Sequence, residues 1–519
     1  IAALAGATVA ALLVSGCSLP GFGGSGSGAS VSVAPQAPPP GSEDLSSFYA
    51  QRLQWSDCEG AQCASLTVPV DYADPQGDTL EVAVIKVPAR RDSRRIGSLV
   101  VNPGGPGGSG VDYARAADFI VGKPVRDAYD VVGFDPRGVG RSAPIDCLTD
   151  AELDTFLGSD PPPDDAAEEQ EFAATARGLG QGCESPAGPL LAHVSTPDAA
   201  RDMDILRATL GEERLTYLGK SYGTYLGAVY AGLFPAQVGR MVLDGVVAPD
   251  LTPEEVNLGQ AKGFERATRE WAAYCVEEGD CPLGESVDEV MDGLREFLLA
   301  VDANPLPRTG DNAVPVLTEG WASLGIAAAM YDQGQWRTLV DAMTEAQTGD
   351  GTSLMQLANQ YADRNPGGQY AGNIMEVIYA VNCLDKPDGD DVDERAQLAQ
   401  EAVAEAPTWG PFLMWSSLPC GFWPVEPTGA PKTISAAGAA PIVVIGTTRD
   451  PATPYEWAVR LRDQLADASL ISFDGDGHTA YTRSNGCVDD AVDEFYLKGT
   501  VPKDGLTCRR SAQWPRVRD

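Results

Sequence analysis

Runs of consecutive apolar residues recur through the first half of the chain and return near its end. They lie at residues 98–101, 129–134, 215–218, 240–243, 441–445 and 469–473. Because these runs lack the alternation of a half-exposed strand, they predict strands that are buried on both faces. Helical periodicity fills the intervals, for example at 196–210 and 222–234. Strands that alternate with helices predict an α/β fold, in which helices cover both faces of a mostly parallel sheet.

An antiparallel hairpin is predicted ahead of this parallel sheet. Residues 65–70 and 79–87 are rich in β-branched and apolar side chains, and the turn sequence Asp-Pro-Gln-Gly stands between them at 74–77. Two such runs around a turn of this composition are typical of a hairpin. We therefore expect the sheet to begin with antiparallel strands.

The alternation of predicted strands and helices stops between residues 249 and 430. This stretch lacks comparable apolar runs, and its periodicity is helical at 254–277, 287–301, 321–330 and 391–406. Because the strand runs at 441–445 and 469–473 return afterwards, we interpret 249–430 as a helical cap inserted into the sheet domain. The core would then consist of residues 47–248 and 431–519. A separate domain that follows the sheet is the alternative, but it would leave the two late strands unexplained.

The N-terminal segment resembles an export signal. Residues 1–16 form an apolar stretch that is shorter than the roughly 20 residues of a membrane span and typical of a secretory signal. The sequence Leu-Val-Ser-Gly-Cys at 13–17 resembles the lipobox of bacterial lipoproteins, which are cleaved before the cysteine and lipidated on it. We therefore expect residues 1–17 to be a signal peptide with a lipobox and Cys17 to be lipidated. A plain signal peptide with an incidental cysteine is the alternative.

Glycine, serine and proline dominate residues 18–46, a composition that cannot build a core. We predict a disordered tether, and a flexible chain of this length would hold its ends about 30 Å apart. With a lipid on Cys17, the protein would be exported and anchored at the outer face of the bacterial cell membrane, with some of it also released.

The charge of the chain excludes one class of partner. Its 519 residues include 74 acidic and 37 basic side chains, which gives a net charge of −37. Nucleic acid is not expected as a partner, because phosphate binding needs a basic face. A strongly acidic protein attracts cationic groups such as peptide amines, although many exported proteins are simply acidic. The length exceeds that of one compact core and predicts two domains, and no feature of the sequence indicates an oligomeric state.

The eleven cysteines indicate disulfides. If Cys17 carries a lipid, ten remain, and an even number in an exported protein is typical of a disulfide framework. Sequence does not fix the connectivity, and we expect each cysteine to pair with its neighbour along the chain: Cys58–Cys63, Cys147–Cys183, Cys275–Cys281, Cys383–Cys420 and Cys487–Cys508. A zinc site is the alternative, but the chain has no C-x-x-C and two histidines. We therefore expect neither a metal nor a cofactor.

The sequence Gly-Lys-Ser-Tyr-Gly at 219–223 fits the pattern G-x-S-x-G. A strand run precedes it and a helical pattern follows it. This is the setting of a nucleophile elbow, where a sharp turn presents the serine at the carboxyl edge of a sheet, and small glycines permit the strained backbone. We predict that Ser221 is a nucleophile.

A serine hydroxyl is a poor nucleophile at neutral pH and needs a general base. The chain offers His193 and His478. His478 follows a strand run in a glycine-rich turn, whereas His193 stands just before a helix start, where a packed or surface role is the simpler interpretation. We predict that His478 is the base for Ser221.

A triad also needs an acid that orients the imidazole and stabilises its cation. Asp450 follows a strand run and preserves the order serine, acid, histidine along the chain. Asp244, at the end of the preceding strand, is the alternative. Asp474 and Asp476 are too near His478 in sequence to be its usual partner. We predict that Asp450 is the acid.

Acyl transfer builds negative charge on the carbonyl oxygen, which preorganised N–H donors stabilise. The sequence Asn-Pro-Gly-Gly-Pro-Gly-Gly-Ser-Gly at 102–110 follows the third strand of the predicted core, where one donor belongs. We assign the oxyanion hole to the backbone N–H groups of Gly105 and Tyr222. A phosphate-binding loop is the alternative, but the segment lacks the lysine and hydroxyl residue that end such a loop.

Four segments together carry a resemblance to a known family. They are Asn-Pro-Gly-Gly-Pro-Gly-Gly-Ser-Gly (102–110), Asp-Pro-Arg-Gly-Val-Gly-Arg-Ser (135–142), Gly-Lys-Ser-Tyr-Gly-Thr (219–224) and Asp-Pro-Ala-Thr-Pro-Tyr-Glu-Trp-Ala (450–458). As a set they resemble the secreted tripeptidyl aminopeptidases, a branch of the proline-iminopeptidase-like α/β-hydrolases. The resemblance extends from about residue 50 to 510, and residues near 410–510 are similar to the C-terminal region of that group. Proline iminopeptidases carry His-Gly-Gly-Pro-Gly, and Pro103 replaces that histidine here.

The resemblance implies an α/β-hydrolase fold with a cap that shapes the site. It also implies a serine exopeptidase that acts on peptides or proteins and releases short units, tripeptides by the family's name, from free N-termini. A carboxylic-ester or lipid esterase of the cell envelope is the first alternative, because the same triad serves both reactions. A non-catalytic envelope-binding lipoprotein on a hydrolase scaffold is the second, although the intact serine, histidine and aspartate argue against it.

An exopeptidase must measure distance from the substrate's N-terminus, and a carboxylate in the cap is the simplest ruler. A charge-assisted hydrogen bond to the ammonium can contribute roughly 1.5–3 kcal/mol. The candidates are Glu376, in an otherwise apolar run at 373–379, and Asp385, which follows Cys383. A charge on a helix surface and a loop cap are the respective structural alternatives.

Overall fold

The computed structural model describes residues 36–510. Within this range the chain forms strands at Ser56–Cys58 (β1), Ala61–Pro69 (β2), Thr79–Val87 (β3), Gly97–Asn102 (β4), Tyr129–Phe134 (β5), Leu215–Lys220 (β6), Val238–Asp244 (β7), Leu306–Pro307 (β8), Val316–Leu317 (β9), Ile442–Arg449 (β10), Ala468–Asp476 (β11) and Leu506–Arg509 (β12). One ten-stranded sheet has the order β1-β2-β3-β5-β4-β6-β7-β10-β11-β12, and β8 pairs with β9 as a separate hairpin.

The large sheet has antiparallel strands at one edge and parallel strands through the rest. Strand β2 pairs antiparallel with β1 and β3, and β3 pairs antiparallel with β5. From β5 through β4, β6, β7, β10 and β11 to β12, all neighbours are parallel. The expected hairpin and parallel sheet are confirmed, and with helices on both faces this is the α/β-hydrolase fold.

Helices connect these strands. The first eight are Ser46–Tyr49 (α1), Gly110–Arg115 (α2), Ala117–Ile120 (α3), Lys123–Ala128 (α4), Asp150–Leu157 (α5), Ala166–Ala187 (α6), Thr196–Thr209 (α7) and Tyr222–Leu233 (α8). The next nine lie between β7 and β10: Pro253–Glu278 (α9), Val287–Ala303 (α10), Glu319–Met330 (α11), Trp336–Gln347 (α12), Thr352–Tyr361 (α13), Ile374–Asp385 (α14), Val392–Ala402 (α15), Gly410–Met414 (α16) and Leu418–Gly421 (α17). The last two are Tyr455–Gln464 (α18) and Gly486–Lys498 (α19).

Alternate residues of the central strands enter different apolar clusters on the two faces of the sheet. Every residue of β4 is buried. Leu99 and Val101 pack in one cluster, whereas Val100 packs in the other, together with Leu206 of α7 and Leu226 of α8. Because successive side chains of a strand point to opposite faces, a continuous apolar run is what a strand covered on both sides requires.

Helices α7 and α8 lie side by side beneath the sheet and bring their N-termini together. The side chain of Ser195 accepts a hydrogen bond from the Asp198 N–H, which caps α7, and a proline occupies its first turn. Helix α8 starts one residue after β6 and is buried from Tyr222 to Ala231. These starts place Thr196 and Tyr222 at adjacent helix ends.

The segment between β7 and β10 is mostly helical, as its periodicity predicts, and we call its helices α9–α17 the cap. Apolar side chains of α9–α13 form a cluster of their own around Trp271, Trp321 and Trp336. Those of α14, such as Val377 and Leu384, pack in one of the two clusters of the sheet. Residues in the loop after β7 and in the stretch that leads into β10 join this helical layer to the sheet.

Helices α5 and α6 lie within the predicted core, residues 47–248, and contact both the sheet cluster and the cap. Leu153 of α5 and Leu179 of α6 pack in a cluster with strand residues such as Val100. The guanidinium of Arg364 forms an ion pair with Asp154 of α5 at 2.6 Å, and the ring of Phe172 in α6 contacts that of Trp415 with centroids 5.8 Å apart. The helical layer therefore draws on two insertions, one before α7 and one after β7.

The start of the described chain corrects the predicted tether. Residues 36–46 were expected to be disordered, but Gln36 accepts a hydrogen bond from Arg207 at 2.7 Å and donates one to the Glu212 carbonyl at 3.1 Å. The side chain of Leu45 is buried. The core thus offers partners to this segment. The predicted signal peptide, Cys17 and the rest of the tether lie outside the described residues.

All five expected disulfides are confirmed. They join Cys58–Cys63, Cys147–Cys183, Cys275–Cys281, Cys383–Cys420 and Cys487–Cys508. Among the helices of residues 36–510, none combines the length and the apolar character that crossing a bilayer requires.

Candidate active site

Ser221 occupies a strained turn between β6 and α8, with φ of 56° and ψ of −127°. A positive φ is unfavourable for a residue with a side chain. The turn is held because the Ser221 N–H donates to the Asp244 carbonyl at 3.0 Å. A Cβ at Gly219 would lie 2.2 Å from the Gly223 carbonyl oxygen, and one at Gly223 would lie 2.8 Å from Asn102 Oδ1. Both glycines of the motif are therefore required by the close approach of backbone and side-chain atoms.

His478 and Asp450 form a buried pair. His478 Nδ1 lies 2.9 Å from Asp450 Oδ1 and 3.0 Å from Oδ2. Asp450 is fully buried, and its Oδ1 also accepts the N–H groups of Ala452 and Thr453 at 3.0 and 2.8 Å. With Nδ1–H donating to the carboxylate, the lone pair of the imidazole is on Nε2, the tautomer that a general base needs.

The other imidazole nitrogen is unpaired within the described chain and lies near the segment that holds Ser221. His478 Nε2 is buried and, among the described residues, has no hydrogen-bond partner. A Cβ at Gly245 would lie 3.2 Å from His478 Cε1, and the neighbouring Asp244 carbonyl accepts the Ser221 N–H. The ring therefore lies against the segment that holds the elbow. Leaving a buried nitrogen without a hydrogen-bond partner costs free energy. Accepting the proton of a serine hydroxyl would give this nitrogen a partner.

Two residues that contact His478 were missed by the sequence analysis. Thr453 Oγ1 lies 3.2 Å from His478 Nδ1, beside the carboxylate of Asp450. The backbone carbonyl of Tyr331, directly after α11 in the cap, accepts the backbone N–H of His478 at 2.9 Å. The Tyr331 ring packs edge-on against the imidazole, with ring centroids 5.2 Å apart. Thr453 stands three residues after the predicted acid, so a search of that loop could have found it. Tyr331 carries no motif, because the contact depends on how the cap packs.

Asp244, the alternative acid, binds backbone rather than the imidazole. Its carboxylate accepts the N–H groups of Ala480 and Tyr481, each at 2.9 Å, and lies 3.8 Å from Lys220 Nζ. Lys220 in turn donates to the Tyr481 carbonyl at 2.8 Å. Burial raises the pKa of Asp244 and lowers that of Lys220. This buried pair holds the loop that follows His478.

The remaining alternatives lie in other contacts. His193 ends a short 3₁₀ turn at 188–193, and its carbonyl accepts a hydrogen bond from Arg137 at 2.7 Å. Asp474 and Asp476 both pair with Arg449, with Asp474 at 3.0 Å. These partners account for the three residues without a role in proton transfer.

The glycine-rich loop after β4 touches the elbow. A Cβ at Gly104 would lie 2.7 Å from Ser221 Cβ and 3.2 Å from the Tyr222 nitrogen. Gly104 and Gly105 have φ of 106° and 110°, a region that favours glycine. Tyr222 is the first residue of α8, so its N–H has no acceptor within the helix. The arrangement can present N–H groups from two segments to a carbonyl oxygen at Ser221.

Both carboxylates predicted to bind the substrate's ammonium accept hydrogen bonds from the protein's own backbone. Glu376 Oε1 accepts the N–H groups of Cys147 and Leu148, both at 2.7 Å. Asp385 Oδ1 accepts the Thr196 N–H at 2.8 Å. Their side chains are buried, and burial raises the pKa of each to about 7. Both acids anchor distant segments of the protein's own chain, partners that the sequence does not reveal.

An acidic cluster elsewhere is the nearest approach to a cation site. Carboxylate oxygens of Asp160, Glu168 and Asp302 lie within 4.8 Å of one another. Burial, followed by the neighbouring Glu168 and Asp302 carboxylates, raises the pKa of Asp160 to about 7. The cluster contributes nothing to the arrangement around Ser221, and the hydrolytic chemistry needs no ion from it.

Comparison with known proteins gives a consistent result. A family model described as "TAP-like protein" matches residues 406–508. The chain is 39% identical to serine protease Hip1 of Mycobacterium tuberculosis over 482 residues, 88% of this chain and 91% of that protein. It is 35% identical to tripeptidyl aminopeptidase of Streptomyces lividans over 472 residues, 88% and 86% of the two chains. It is also 38% identical to carboxylesterase B of Mycobacterium tuberculosis over 463 residues, 87% of each.

Proposed function

Because this chain belongs to the TAP-like family of α/β-hydrolase serine peptidases, we propose that it releases tripeptides from the free N-termini of its peptide substrates. The observation that carries the hydrolytic proposal is the buried His478–Asp450 pair, with its unpartnered Nε2, beside the Ser221 elbow. Release of tripeptides is supported by the identity with a tripeptidyl aminopeptidase over 86% of that protein.

The proposed reaction passes through an acyl-enzyme. Ser221 Oγ attacks the scissile carbonyl carbon while its proton moves to His478 Nε2, and Asp450 stabilises the imidazolium. The N–H groups of Gly105 and Tyr222 stabilise the oxyanion. The carbon–nitrogen bond then breaks as His478 gives its proton to the leaving nitrogen.

Hydrolysis of the acyl-enzyme repeats these steps with water. His478 Nε2 takes a proton from the water as its oxygen attacks the ester carbon. The second tetrahedral intermediate releases the peptide acid when the bond to Oγ breaks and Ser221 recovers its proton. The original Ser221 proton thus leaves with the amine, and a proton from water replaces it, so Ser221 and His478 end in their starting protonation states.

Labelling with a fluorophosphonate probe tests the nucleophile. We expect the wild-type protein to be labelled at Ser221 and the Ser221→Ala variant to remain unlabelled. The same variant should lose several orders of magnitude in kcat on tripeptide anilides and still bind peptide, because the cap and the rest of the site are unchanged. Labelling at another serine, or equal activity of the two proteins, contradicts the proposal.

A carboxylic esterase is the second candidate, and the 38% identity with carboxylesterase B favours it. The same serine, histidine and aspartate hydrolyse esters. A panel of tripeptidyl anilides, aminoacyl anilides and short acyl esters separates the candidates. A peptidase should give its highest kcat/KM on the tripeptidyl anilide, whereas an esterase should turn over acyl esters fastest and leave the anilides intact.

We also propose that the protein is lipid-anchored through Cys17 to the outer face of a bacterial cell membrane. The lipobox-like sequence at 13–17 supports this proposal. The Cys17→Ser variant should move from the membrane fraction to the medium with unchanged kinetics, and retention in the membrane fraction contradicts the anchor.

A further inference from the structure

The buried side chains of Tyr222, Thr196 and Asp385 form a chain of hydrogen bonds. The Tyr222 hydroxyl is 2.5 Å from Thr196 Oγ1, and that oxygen is 2.5 Å from Asp385 Oδ2. The Thr196 N–H donates to the other carboxylate oxygen at 2.8 Å. Since an ionised carboxylate only accepts, the Thr196 hydroxyl donates to Asp385 and accepts from the Tyr222 hydroxyl. The direction of both hydrogen bonds is therefore fixed by Asp385.

Each member of this chain terminates a different helix. Tyr222 is the first residue of α8, Thr196 the first of α7, and Asp385 the last of α14. All three are more than nine-tenths buried, so water does not replace these hydrogen bonds. The Tyr222 side chain is thus tied at its far end, and the same residue carries a proposed oxyanion donor on its backbone.

Helix α14 also supports the second donor segment. A Cβ at Gly107, two residues after Gly105, would lie 3.0 Å from the Ile374 Cα and 3.1 Å from Val377 Cβ. The first turn of α14 therefore packs directly on the glycine-rich loop. One helix of the cap contacts the loop at its N-terminus and reaches Tyr222 through Asp385 at its C-terminus.

We propose that Asp385 is a positioning residue of the oxyanion hole, which acts through Thr196 to fix the Tyr222 ring and, with it, the Tyr222 N–H. The inference rests on the proposed acyl transfer at Ser221. An oxyanion donor must meet an oxygen whose position changes during the reaction, and a small displacement of the donor is costly. The cap is thereby coupled to the chemical step and not only to substrate entry.

The ionisation of Asp385 gives the proposal a pH dependence. Burial has the largest effect on the Asp385 carboxyl and raises its pKa to about 7. The hydrogen bonds from Thr196 and the charge of Lys386 lower this pKa, and the charge of Asp198 raises it. Tyr222 and Tyr225 of α8 also face this carboxyl, and their own pKa values are raised by burial, so both remain protonated. Above pH 7 the carboxylate accepts both Thr196 donors. As the pH falls through 7 it takes up a proton, and its control of the Tyr222 hydroxyl is lost.

The Tyr222→Phe variant tests the chain with its matched control, Tyr230→Phe. Tyr222→Phe deletes one hydroxyl and keeps the ring and the N–H. Tyr230 lies two turns further along α8, is fully buried, and its hydroxyl donates to Asp204 at 2.8 Å. Loss of a whole oxyanion donor costs about 10²–10³ in kcat, so misplacing one should cost roughly tenfold. We expect that loss, with KM within about twofold, for Tyr222→Phe and less than a twofold change for Tyr230→Phe.

Thr196 and the pH profile supply independent checks. Thr196→Val breaks the chain and should lower kcat as Tyr222→Phe does, whereas Thr196→Ser keeps the hydroxyl and should restore most of it. The ratio of wild-type to Tyr222→Phe kcat should be larger at pH 8.5 than at pH 5.5, because the wild-type advantage needs the Asp385 carboxylate. A ratio that is independent of pH contradicts the role of Asp385.

Binding of a peptidyl trifluoromethyl ketone separates positioning from general structure. This inhibitor forms a tetrahedral oxyanion on Ser221, so its affinity should fall about tenfold in Tyr222→Phe, in step with kcat. Unchanged inhibitor affinity, or equal kinetics of Tyr222→Phe and Tyr230→Phe, overturns the inference. Failure of the proposed function is distinguishable, because the wild-type protein itself would then neither cleave tripeptide anilides nor bind the ketone covalently, and the inference would fall with it.

Discussion

Two buried aspartates lie close to His478 and differ in what they bind. Asp450 accepts the imidazole Nδ1–H, whereas Asp244 accepts two backbone N–H groups of the residues that follow His478. The first interaction selects a tautomer and stabilises a cation that forms during the reaction. The second fixes the path of a loop. Asp450 therefore has an electrostatic role, whereas Asp244 has a positional one.

The two aspartates should respond differently to the same isosteric change. Asp450→Asn should preserve the fold but lose on the order of 10⁴ in kcat, because an amide can stabilise the wrong histidine tautomer and not the cation. Asp244→Asn keeps an oxygen that accepts the N–H groups of the loop and should cost far less. Steady-state kinetics of both variants, with circular dichroism as the check of folding, measure the difference. The opposite ranking would assign the acid to Asp244.

The residues proposed for catalysis could be predicted from sequence more readily than the surroundings of the two acids proposed to bind the substrate's ammonium. Ser221, His478 and Asp450 each follow a strand, and the order of strands fixes the edge at which they meet. Glu376 and Asp385 are different, because their partners are 229 and 189 residues away along the chain. A carboxylate in an apolar run fits a ligand site and a structural anchor equally well until its partner is known.

At the scale of elements, one ion pair joins the two parts of the helical layer. Arg364, in the loop after α13, donates to both carboxylate oxygens of Asp154 in α5, at 2.6 and 2.9 Å. It also binds Asp311, and its side chain is fully buried. A buried guanidinium shared between two carboxylates fixes the position of α5 against the cap.

Arg364→Ala should therefore be strongly destabilising. Removing one partner of a buried ion pair leaves an uncompensated charge, which costs about 3–5 kcal/mol. Arg337 is a suitable control, because it also pairs with two aspartates, Asp280 and Asp341, but is 47% exposed. Exposed pairs contribute about 0–1 kcal/mol. Denaturant unfolding of both variants should show this contrast, and equal losses would contradict the importance of the α5 contact.

The elements that sequence failed to predict have identifiable physical causes. Strands β1 and β12 have three and four residues, too few for a periodicity to be recognised. Cys58 of β1 is bonded to Cys63 of β2, and Cys508 of β12 is bonded to Cys487 of α19. The contacts of α5 and α6 with the cap could not be predicted, because the partner residues are far along the chain. The long buried strands, in contrast, followed from runs of consecutive apolar residues.

Across the whole molecule, disulfides lie in three regions: the antiparallel edge of the sheet, the helical layer and the last strand with its neighbouring helix. Cys383–Cys420 ties α14 to α17, and Cys147–Cys183 closes the region of α5 and α6. Each such crosslink contributes about 2–4 kcal/mol by restricting the unfolded chain. The framework therefore crosslinks the helical layer near the C-terminal end of α14 and between α6 and the segment before α5.

The disulfide framework predicts the thiol content of the protein. The Cys17→Ser variant should show no free thiol when it is unfolded under non-reducing conditions, because the other ten cysteines are paired. Titration with a thiol reagent measures this directly. Several titratable thiols per chain would contradict the framework, and a reduced sample of the same variant provides the value for complete reduction.

The central claim is that the molecule is an aminopeptidase that requires a free N-terminus. Comparison of one tripeptide anilide with its N-acetyl form tests it most directly, with the Ser221→Ala variant as the measure of background. Acetylation removes the ammonium and should lower kcat/KM tenfold or more, because the positive charge that the proposed exopeptidase must recognise is lost. Equal kcat/KM on the two substrates would contradict the account and indicate an endopeptidase or an esterase.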